Sequence, residues 1–353
     1  MQIAILGDLH IGVRNDLAPI ANAQARFFKN TFFPEIAKRG IKQIVQMGDL
    51  WDKRQYLTLK SMDHFEKSLY SLIEEHDCHM TMLLGNHDVL YKNTNDVNSP
   101  DLYLGSHKRI TVINEPTEIL DNSILMVPWI NKENNDDTLD AINKSKAPFC
   151  FGHFELVGFD MQPGQPALEG LSPSILSKFK KVLSGHFHTI SEKGNILYTG
   201  VPYEMTWNQY NDRCGFWIFD TETGDIEFIK NDESMFFKVE YDSQDNSRSW
   251  VPYKPEDLTG KFVKVIVTIK DSHYDFDMWL KRIQSYVPQE LTVYDNNISI
   301  DGVDFDISDM AEGLSNLESI ESKIDMLSVN TYSAKEKNII KDRMNKLYNE
   351  VEG

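Results

Sequence analysis

Five short segments of the chain carry side chains that bind divalent metal ions, and each segment begins with glycine after an apolar run. They are Gly7-Asp8-Leu9-His10, Gly48-Asp49-Leu50-Trp51-Asp52, Gly85-Asn86-His87-Asp88, Gly152-His153 and Gly185-His186-Phe187-His188. Oxygen and imidazole donors without a thiolate suit Mn²⁺, Fe or Zn²⁺ better than Ca²⁺. Two such ions roughly 3.5–4 Å apart activate water for an in-line phosphoryl displacement. The segments therefore predict a two-metal phosphoesterase centre.

The apolar runs that precede these segments predict the elements that position them. Strands are expected over residues 3–6, 44–47, 80–84, 149–151 and 182–184. Apolar residues at helical spacing predict helices between residues 17 and 36 and between residues 59 and 73. This alternation predicts an α/β fold with a layered α/β/β/α arrangement, in which the ligands lie on loops at strand ends.

Three segments are expected along the chain. Residues 1–232 form the layered catalytic domain, and residues 233–305 form a small α+β capping domain with a strand at 262–270, a helix at 276–285 and a strand at 290–294. Residues 306–353 form a helical C-terminal tail. Two stretches rich in Asn and Asp, 93–101 and 131–137, are typical of exposed loops. Either of these loops could shape a substrate groove, or both could be solvated surface.

The composition sets limits on location and partners. The 353 residues include 36 Lys and Arg against 54 Asp and Glu, a net charge of −18. This charge argues against nucleic-acid binding through overall electrostatics. A local rim of basic residues could still bind DNA, so the charge does not exclude a nuclease. No apolar run approaches the roughly 20 residues of a membrane span. Three separated cysteines without a CxxC pair favour a reducing cytoplasm.

The order of the five segments resembles that of the calcineurin-like metallophosphoesterases. Within that superfamily, the chain looks most like the SbcD and Mre-type nuclease subunits of DNA break-processing complexes, especially the short phage-encoded recombination endonuclease subunits. Three features carry this finer resemblance: the first motif at the extreme N-terminus, the Gly48-Asp49-Leu50-Trp51-Asp52 form of the second motif, and the small domain after the fifth motif.

The resemblance implies a role for each motif residue. One metal ion would be bound by Asp8, His10 and His188, and the other by Asn86, His153 and His186. Asp49 would bridge the two ions. His87 matches the family's acid, and Asp88 resembles the partner that orients the imidazole of His87. Asp52 replaces a His found in some members, so the substrate-positioning role of that His does not transfer directly to Asp52.

Basic residues near the metal loops are candidates for contact with DNA phosphates, although solvated surface is the commoner role of such residues. These candidates are Arg14, Lys53, Arg54 and Lys92.

The resemblance also implies an activity and partners. The expected function is a DNA nuclease that degrades duplex ends from 3′ to 5′ and cuts single strands, with two divalent ions, Mn²⁺ first and Mg²⁺ as the alternative. An SbcC-like coiled-coil ATPase would bind the C-terminal segment. Two copies of the chain would form a dimer through the helix near residues 59–73. The setting would be the cytoplasm, that of the host if the chain is phage-encoded, with no membrane partner.

Two alternatives use the same motifs. A small-molecule phosphodiesterase or phosphatase would need the same seven ligands, and only the second domain separates it from a nuclease. A non-catalytic scaffold with this fold usually loses ligands or the acid, and none is missing here.

Overall fold

A computed structural model describes residues 1–162, 164–244 and 254–295, together with Ile340 and Arg343. The chain divides into two compact units. The first comprises Met1–Met205 and Asn211–Met235, and the second comprises Thr206–Tyr210 and the chain from Phe236 onward. The predicted helical tail, 306–353, lies outside the described residues apart from Ile340 and Arg343. The functional roles of the three predicted segments stay predictions.

The first unit alternates strands and helices along most of its length. Its strands are β1 Gln2–Leu6, β2 Gln43–Gln46, β3 His79–Leu83, β4 Ile110–Ile113, β5 Thr117–Ile119, β6 Ile124–Val127, β7 Phe149–Gly152, β8 Asp160–Gln162, β9 Gln165–Pro166, β10 Lys181–Ser184, β11 Ser191–Lys193, β12 Ile196–Tyr198, β13 Gly215–Asp220 and β14 Ile226–Lys230. Its helices are α1 Ala18–Phe27, α2 Phe33–Lys38, α3 Leu59–Phe65, α4 Ser71–Glu75, α5 Ser99–Leu104 and α6 Asn135–Lys144.

Within the described residues, these strands form two six-stranded sheets and one small hairpin. The first sheet has the order β14-β13-β1-β2-β3-β4, and the second has the order β11-β12-β10-β7-β6-β5. Strands β1 to β4 are parallel, as are β6, β7, β10 and β12. Parallel sheets need cover on both faces, and here each sheet packs against the other and against helices. The layered α/β fold predicted from the sequence is confirmed.

The core between the two sheets is apolar. Ile5 and Val45 from the first sheet pack in one buried cluster with Phe151 and Leu183 from the second. All four side chains are at most 2% exposed. Since burying apolar surface is the main favourable contribution to folding, this layer holds the two sheets together.

Aromatic side chains fill the layer outside the first sheet. Phe27, Phe28 and Phe32 are almost fully buried, and the ring of Phe32 lies 4.8 Å from that of Phe216 on β13. The helix that carries them widens into a π-helical turn at Phe28–Phe32 between α1 and α2. Pro34 follows this turn and has no N–H to donate to it.

Both Asn-rich stretches were predicted as exposed loops, and in part this is wrong. Asn98 is 2% exposed, and its side chain accepts a hydrogen bond from the backbone N–H of Asp101 at 2.8 Å, which caps helix α5. Helix α6 begins at Asn135, inside the second stretch. Asn favours the N-terminal cap of a helix as strongly as it favours a loop, so composition alone did not distinguish the two.

The second unit contains β15 Phe236–Asp242, α7 Pro255–Leu258, β16 Phe262–Ile269, α8 His273–Ser285 and β17 Glu290–Asp295. In the order β15-β16-β17, the strands form a parallel sheet, and Trp279 and Ile283 of α8 pack on it in one buried cluster with Val265. The strand–helix–strand order predicted over residues 262–294 is confirmed. Strand β15 was not predicted.

Among the described residues, no helix combines the length and the apolar character that crossing a membrane requires. The three cysteines, Cys78, Cys150 and Cys214, are buried free thiols.

Replacing Phe151 by Ala should destabilise the protein by about 3–5 kcal/mol, because it leaves a cavity between the two sheets. Equilibrium urea unfolding measures the change. The matched control is Leu102→Ala, since Leu102 is 79% exposed and its loss should cost about 0.5 kcal/mol or less. Equal effects of the two substitutions would contradict the assignment of Phe151 to the core.

Candidate metal centre

The five motif segments lie where strands of the two sheets end. Strands β1, β2 and β3 run parallel in the first sheet, and β7 and β10 run parallel in the second. The carboxyl ends of parallel strands meet at one edge of a sheet, where ligand sites are common. The residues that follow these ends are Asp8 and His10 after β1, Asp49 after β2, Asn86 after β3, His153 after β7, and His186 and His188 after β10.

One group of donors combines Asp8, His10 and His188, whose candidate ligand atoms lie within 4.8 Å of one another. The Nε2 atoms of His10 and His188 are 3.0 Å apart. The Nε2 atom of His188 is 3.8 Å from a carboxylate oxygen of Asp8. Asp8 is held in place because it accepts a hydrogen bond from the backbone N–H of His186 at 3.0 Å.

A second group surrounds the side-chain oxygen of Asn86. This Oδ1 atom lies 3.1 Å from Nε2 of His153 and 2.8 Å from Nδ1 of His186. The same two imidazoles and the carboxylate of Asp49 form a candidate metal-binding cluster.

Asp49 lies between the two groups. Its Oδ2 atom is 3.8 Å from Nε2 of His10 in the first group and 3.5 Å from Nε2 of His153 in the second. The other oxygen, Oδ1, accepts a hydrogen bond from the backbone N–H of His87 at 2.7 Å. Asp49 is 2% exposed. Asp49 is therefore within reach of both groups, and its bridging role stays a prediction.

The electrostatics of the site favour a negative Asp49 and neutral side chains of His10, His186 and His188. Burial alone would raise the pKa of Asp49, but the imidazoles of His153 and His87 outweigh it and hold this pKa well below the usual value. Burial lowers the pKa of His10 and of His186 well below the usual value, and that of His188 to about 4. A neutral imidazole is the form that binds a metal ion.

His153 is the exception among the imidazoles. Although burial disfavours its charged form, the negative charge of Asp49 raises the pKa of His153 to about 9. Its Nδ1 atom donates to the backbone carbonyl of Met47 at 2.8 Å, so Nε2 is the atom that faces Asn86 and Asp49. This nitrogen and the two oxygens converge on a position that attracts a cation, either a proton or a metal ion.

The donor set fits divalent metal ions. Carboxylates, an amide oxygen and imidazoles come together, most of them buried and with His186 and His188 partly exposed, and thiolates are absent from the two groups. The Nε2 atoms of His10 and His188 are 3.0 Å apart, so either one of them carries a proton or both lone pairs face a shared cation. A cation between the donors relieves such a concentration of lone pairs.

Several of these residues have unfavourable backbone conformations. His10, Asp49 and His186 have positive φ angles of 44°, 54° and 86°. For residues other than glycine, the left-handed region costs free energy and persists where the surroundings enforce it, often at functional sites. The loops therefore hold these three side chains in orientations that relaxed turns would not give.

Two glycines permit the close packing of the loops. Gly48 has a φ of 101°, and a Cβ atom there would lie 2.4 Å from Nδ1 of His153. A Cβ atom at Gly85 would lie 2.2 Å from Oδ1 of Asp49. Both contacts are far shorter than van der Waals distances, so the glycines are needed for the approach of the ligand loops as well as for the turn.

The family model of the calcineurin-like phosphoesterases matches residues 1–189. This range holds all five motif segments and more than half of the 353 residues. The chain belongs to the calcineurin-like phosphoesterases. It is therefore a metal-dependent enzyme that hydrolyses phosphoester bonds, and the two groups of donors are its candidate sites for divalent ions.

Two comparisons give relatives of this phosphoesterase. It is similar to exonuclease subunit 1 of Enterobacteria phage T4, with 36% identity over 276 residues, which are 77% of this chain and 78% of that protein. Among solved structures, it resembles GAP50, the anchor in the inner membrane complex of Plasmodium, at 12% identity and a TM-score of 0.37. That match covers 66% of this chain and 90% of GAP50, and a likeness at this level carries no information about function.

The predicted partnership of His87 and Asp88 is wrong. The Asp88 carboxylate is fully buried and accepts hydrogen bonds from the backbone N–H groups of Asp49, Leu50, Trp51 and Gly85, at 2.8, 3.1, 3.3 and 2.9 Å. It has turned away from the imidazole because these backbone donors, which would otherwise be buried without acceptors, need a carboxylate. Asp88 therefore positions the loops of the phosphoesterase and does not orient His87.

His87 is oriented by a different group. Its Nδ1 atom lies 2.7 Å from the backbone carbonyl oxygen of Asp52. A carbonyl only accepts, so Nδ1 carries the proton and Nε2 is the atom left for chemistry. The ring lies edge-on to that of His10, with 4.9 Å between centroids. His87 is thus placed beside the first group of donors.

The five residues predicted to contact the substrate lie at different places relative to the metal donors. The carboxylate of Asp52 is 3.7 Å from Nδ1 of His10 and 3.3 Å from Nζ of Lys53, so both residues border the centre. Arg14 lies in the turn Val13–Asp16 and is half-buried, as is Arg54. Lys92 is exposed. Their contact with DNA stays a prediction.

Sequence reasoning missed two residues that fix the ligand loops. Gln46 is fully buried at the end of β2, and its amide donates to the carbonyls of Gly48 at 2.6 Å and Gly7 at 3.3 Å. Tyr203 donates its hydroxyl proton to the carbonyl of Leu9 at 2.8 Å. A polar residue inside the apolar run 44–47 was a signal for Gln46, whereas Tyr203 is distant in sequence and gave none.

Replacing Asp49 by Asn should lower the metal content from two ions per chain to one or none, because a neutral amide is a poor bridge between two cations. Elemental analysis of the protein after gel filtration in Mn²⁺ measures it. Asp63→Asn is the matched control, since the side chain of Asp63 is 60% exposed and pairs with Lys67. An unchanged metal content in Asp49→Asn would exclude the bridging position.

Proposed function

We propose that this phosphoesterase is the nuclease subunit of a complex that processes DNA breaks in recombination and repair. The proposed activities are 3′-to-5′ degradation of duplex ends and endonucleolytic cleavage of single strands. The observation that carries the proposal is the similarity to the phage T4 protein named exonuclease subunit 1. At 36% identity over more than three quarters of both chains, the similarity extends well beyond the metal motifs at residues 8–188.

The donors described above support the chemistry. One divalent ion would be held by Asp8, His10 and His188. The other would be held by Asn86, His153 and His186, and Asp49 would bind both ions. Mn²⁺ is the proposed physiological metal, with Mg²⁺ as the alternative. When bound, the two ions supply Lewis acidity for the attack of water on phosphorus and for the charge that develops on the phosphoryl oxygens.

The role proposed for His87 is that of the acid. Attack of water on phosphorus breaks the bond to the 3′ oxygen, and a proton from Nε2 of His87 would go to that leaving oxygen. The hydrogen bond from Nδ1 to the Asp52 carbonyl supports this role, because it fixes the ring and directs Nε2 away from the backbone.

Partners follow from the same proposal. An SbcC-like coiled-coil ATPase would bind the segment 306–353, the domain 233–305 would bind DNA, and a second copy would pair through the helical region near Leu59–Phe65. Leu59 is 83% exposed, which supports a contact at that end of the helix.

Since the chain carries a net charge of −18, DNA would be held by local basic residues such as Arg14, Lys53, Arg54 and Lys92. The proposed location is the cytoplasm, that of the host if a phage encodes the chain.

Replacing His87 by Ala should lower Mn²⁺-dependent cleavage of linear duplex and single-stranded DNA by about 10²–10⁴-fold, the usual contribution of a positioned acid. The metal content should stay within error of the wild type, because no donor of the two groups is removed. Cleavage is followed on labelled DNA, beside p-nitrophenyl phosphate and cyclic nucleotides.

The control for this substitution is His79→Ala, since His79 lies on β3 and bonds to Thr111 at 2.8 Å. This variant should cleave like the wild type. Turnover of the small esters alone, with intact DNA, would replace the nuclease proposal by a small-molecule phosphodiesterase. Unchanged cleavage in His87→Ala would remove the acid role.

Deleting residues 306–353 should abolish co-purification of the ATPase partner while leaving the metal content of the remaining chain unchanged. Affinity capture from cells that express both subunits measures this, with the full-length chain as the control. Full retention of the ATPase by the truncated chain would place the binding surface elsewhere.

A further inference from the structure

A cleft of about 380 Å³ lies beside the second group of metal donors. His153 forms part of its wall, so the cleft opens next to the predicted metal position. Trp129, Ile130 and Leu171 supply apolar surface, and Asn135 and Glu155 supply polar groups. Clefts that bind small organic groups are usually of roughly 300–1,000 Å³ and combine apolar walls with a few polar atoms. No motif residue other than His153 accounts for this cleft.

Trp129 joins the cleft to the metal donors. Its ring centroid lies 5.2 Å from that of His186 and 6.0 Å from that of His153. The side chain is half-buried, so part of the indole lies against the two imidazoles and part of it lines the cleft. A group that stacks on the exposed part of the indole would sit beside a phosphate held at the metal centre.

The backbone of Trp129 is fixed by three hydrogen bonds. Its N–H donates to the carbonyl of Leu84 at 2.8 Å. Its carbonyl accepts from the side-chain amides of Asn95 at 3.0 Å and Asn134 at 3.1 Å. We call Asn95, Asn131 and Asn134 the asparagine clamp. Asn131 completes it by donating to the side-chain oxygen of Asn95 at 2.9 Å.

The clamp explains the two Asn-rich stretches of the sequence. Each stretch was expected to be an exposed loop, yet Asn131 is 8% exposed and its amide reaches the other stretch. Buried amides that satisfy one another make a rigid connection. A rigid support is what a stacking platform requires, because an ordered aromatic ring loses little entropy when a ligand binds.

The charges in the cleft identify the kind of ligand. Two carboxylates, Asp136 and Glu155, line it against one amine, Lys132. Carboxylates repel a phosphate, but they accept hydrogen bonds from the exocyclic amino groups of nucleobases. With an indole as platform, the cleft suits a flat, uncharged ring that carries amino groups, and the phosphate belongs at the metal centre.

We propose that Trp129 is a stacking platform for the nucleobase next to the cleaved phosphodiester. This inference rests on the proposed nuclease function and names a residue that selects unpaired nucleotides at that site. Stacking on an aromatic ring tolerates every base and requires a base that has left the duplex. The cleft therefore accepts the frayed or single-stranded end of the substrate.

The test compares Trp129→Ala and Trp129→Phe on single-stranded oligonucleotides with one cleavable phosphodiester between methylphosphonate linkages. The flanking nucleotides carry a base or are abasic, on either side of the cleavable bond. Trp129→Ala should lower kcat/KM on the substrate with bases by about 10- to 100-fold. On the substrate abasic at the stacked position, it should differ from wild type by about twofold or less. Trp129→Phe should retain most of the activity, because a smaller aromatic ring still stacks.

A binding measurement gives a readout independent of turnover. In the His87→Ala background, an oligonucleotide with 2-aminopurine at the stacked position should lose fluorescence on binding because it stacks on the indole. Adding Trp129→Ala should restore most of that fluorescence. Metal content and circular dichroism of each variant establish that the centre and the fold are intact.

The remaining outcomes decide against the inference. Equal losses in Trp129→Ala on abasic and base-containing substrates would mean that Trp129 only supports His153 and His186. Unchanged cleavage of both substrates would leave Trp129 without a role in binding. Hydrolysis of bis(p-nitrophenyl) phosphate by the wild type, with no cleavage of any oligonucleotide, would instead overturn the nuclease proposal and the base site with it.

Discussion

The Asp88 carboxylate fixes the loops on which the whole centre depends. It is completely buried and accepts hydrogen bonds from backbone N–H groups of two loops, one at Gly85 after β3 and three at Asp49, Leu50 and Trp51 after β2. Burial and the charge of Asp49 raise the pKa of Asp88 to about 7, and the backbone donors act against this shift. A buried carboxylate is tolerable only with such partners. Through it, the loop after β3 sets the conformation of the loop that carries Asp49, the predicted bridging ligand.

Other polar contacts join the two sheets at the same edge. The N–H of His186 in the second sheet donates to Asp8 in the first, and Nδ1 of His153 donates to the carbonyl of Met47. The backbone N–H of Trp129 donates to Leu84 in the same direction across the sandwich. Between the sheets the contacts are apolar and depend little on direction, whereas hydrogen bonds depend strongly on geometry. The apolar layer therefore stabilises the sandwich, and the polar edge sets the positions of the donors.

The predicted donors lie together in the structure, whereas most of the residues that support them were not predicted, and both results have one reason. Each donor follows an apolar run directly, so a local pattern places it at a strand end, and the parallel sheets bring the ends together. Asp88 was assigned to His87 from the family resemblance, but the acceptor that the imidazole uses is the carbonyl of Asp52. The contacts of Tyr203 with Leu9 and of Asn131 with Asn95 join residues far apart in the chain. No local pattern encodes such pairs, since they exist only after the sandwich has formed.

The asparagine clamp shows why the residues that support a site of this kind are polar. An apolar contact could bury Trp129 equally well, but it would leave the carbonyl of Trp129 and the loops around it without fixed partners. The amides of Asn95 and Asn134 satisfy that carbonyl from two different loops, one following β3 and one following β6. A shift of either loop would break one of these partly buried hydrogen bonds. The ring that borders the metal donors is therefore tied to the relative position of the two sheets, as are the donors themselves. The loop after β3 carries both Asn86 of the centre and Asn95 of the clamp, so a substrate that engages cleft and centre meets groups whose spacing was set when the protein folded.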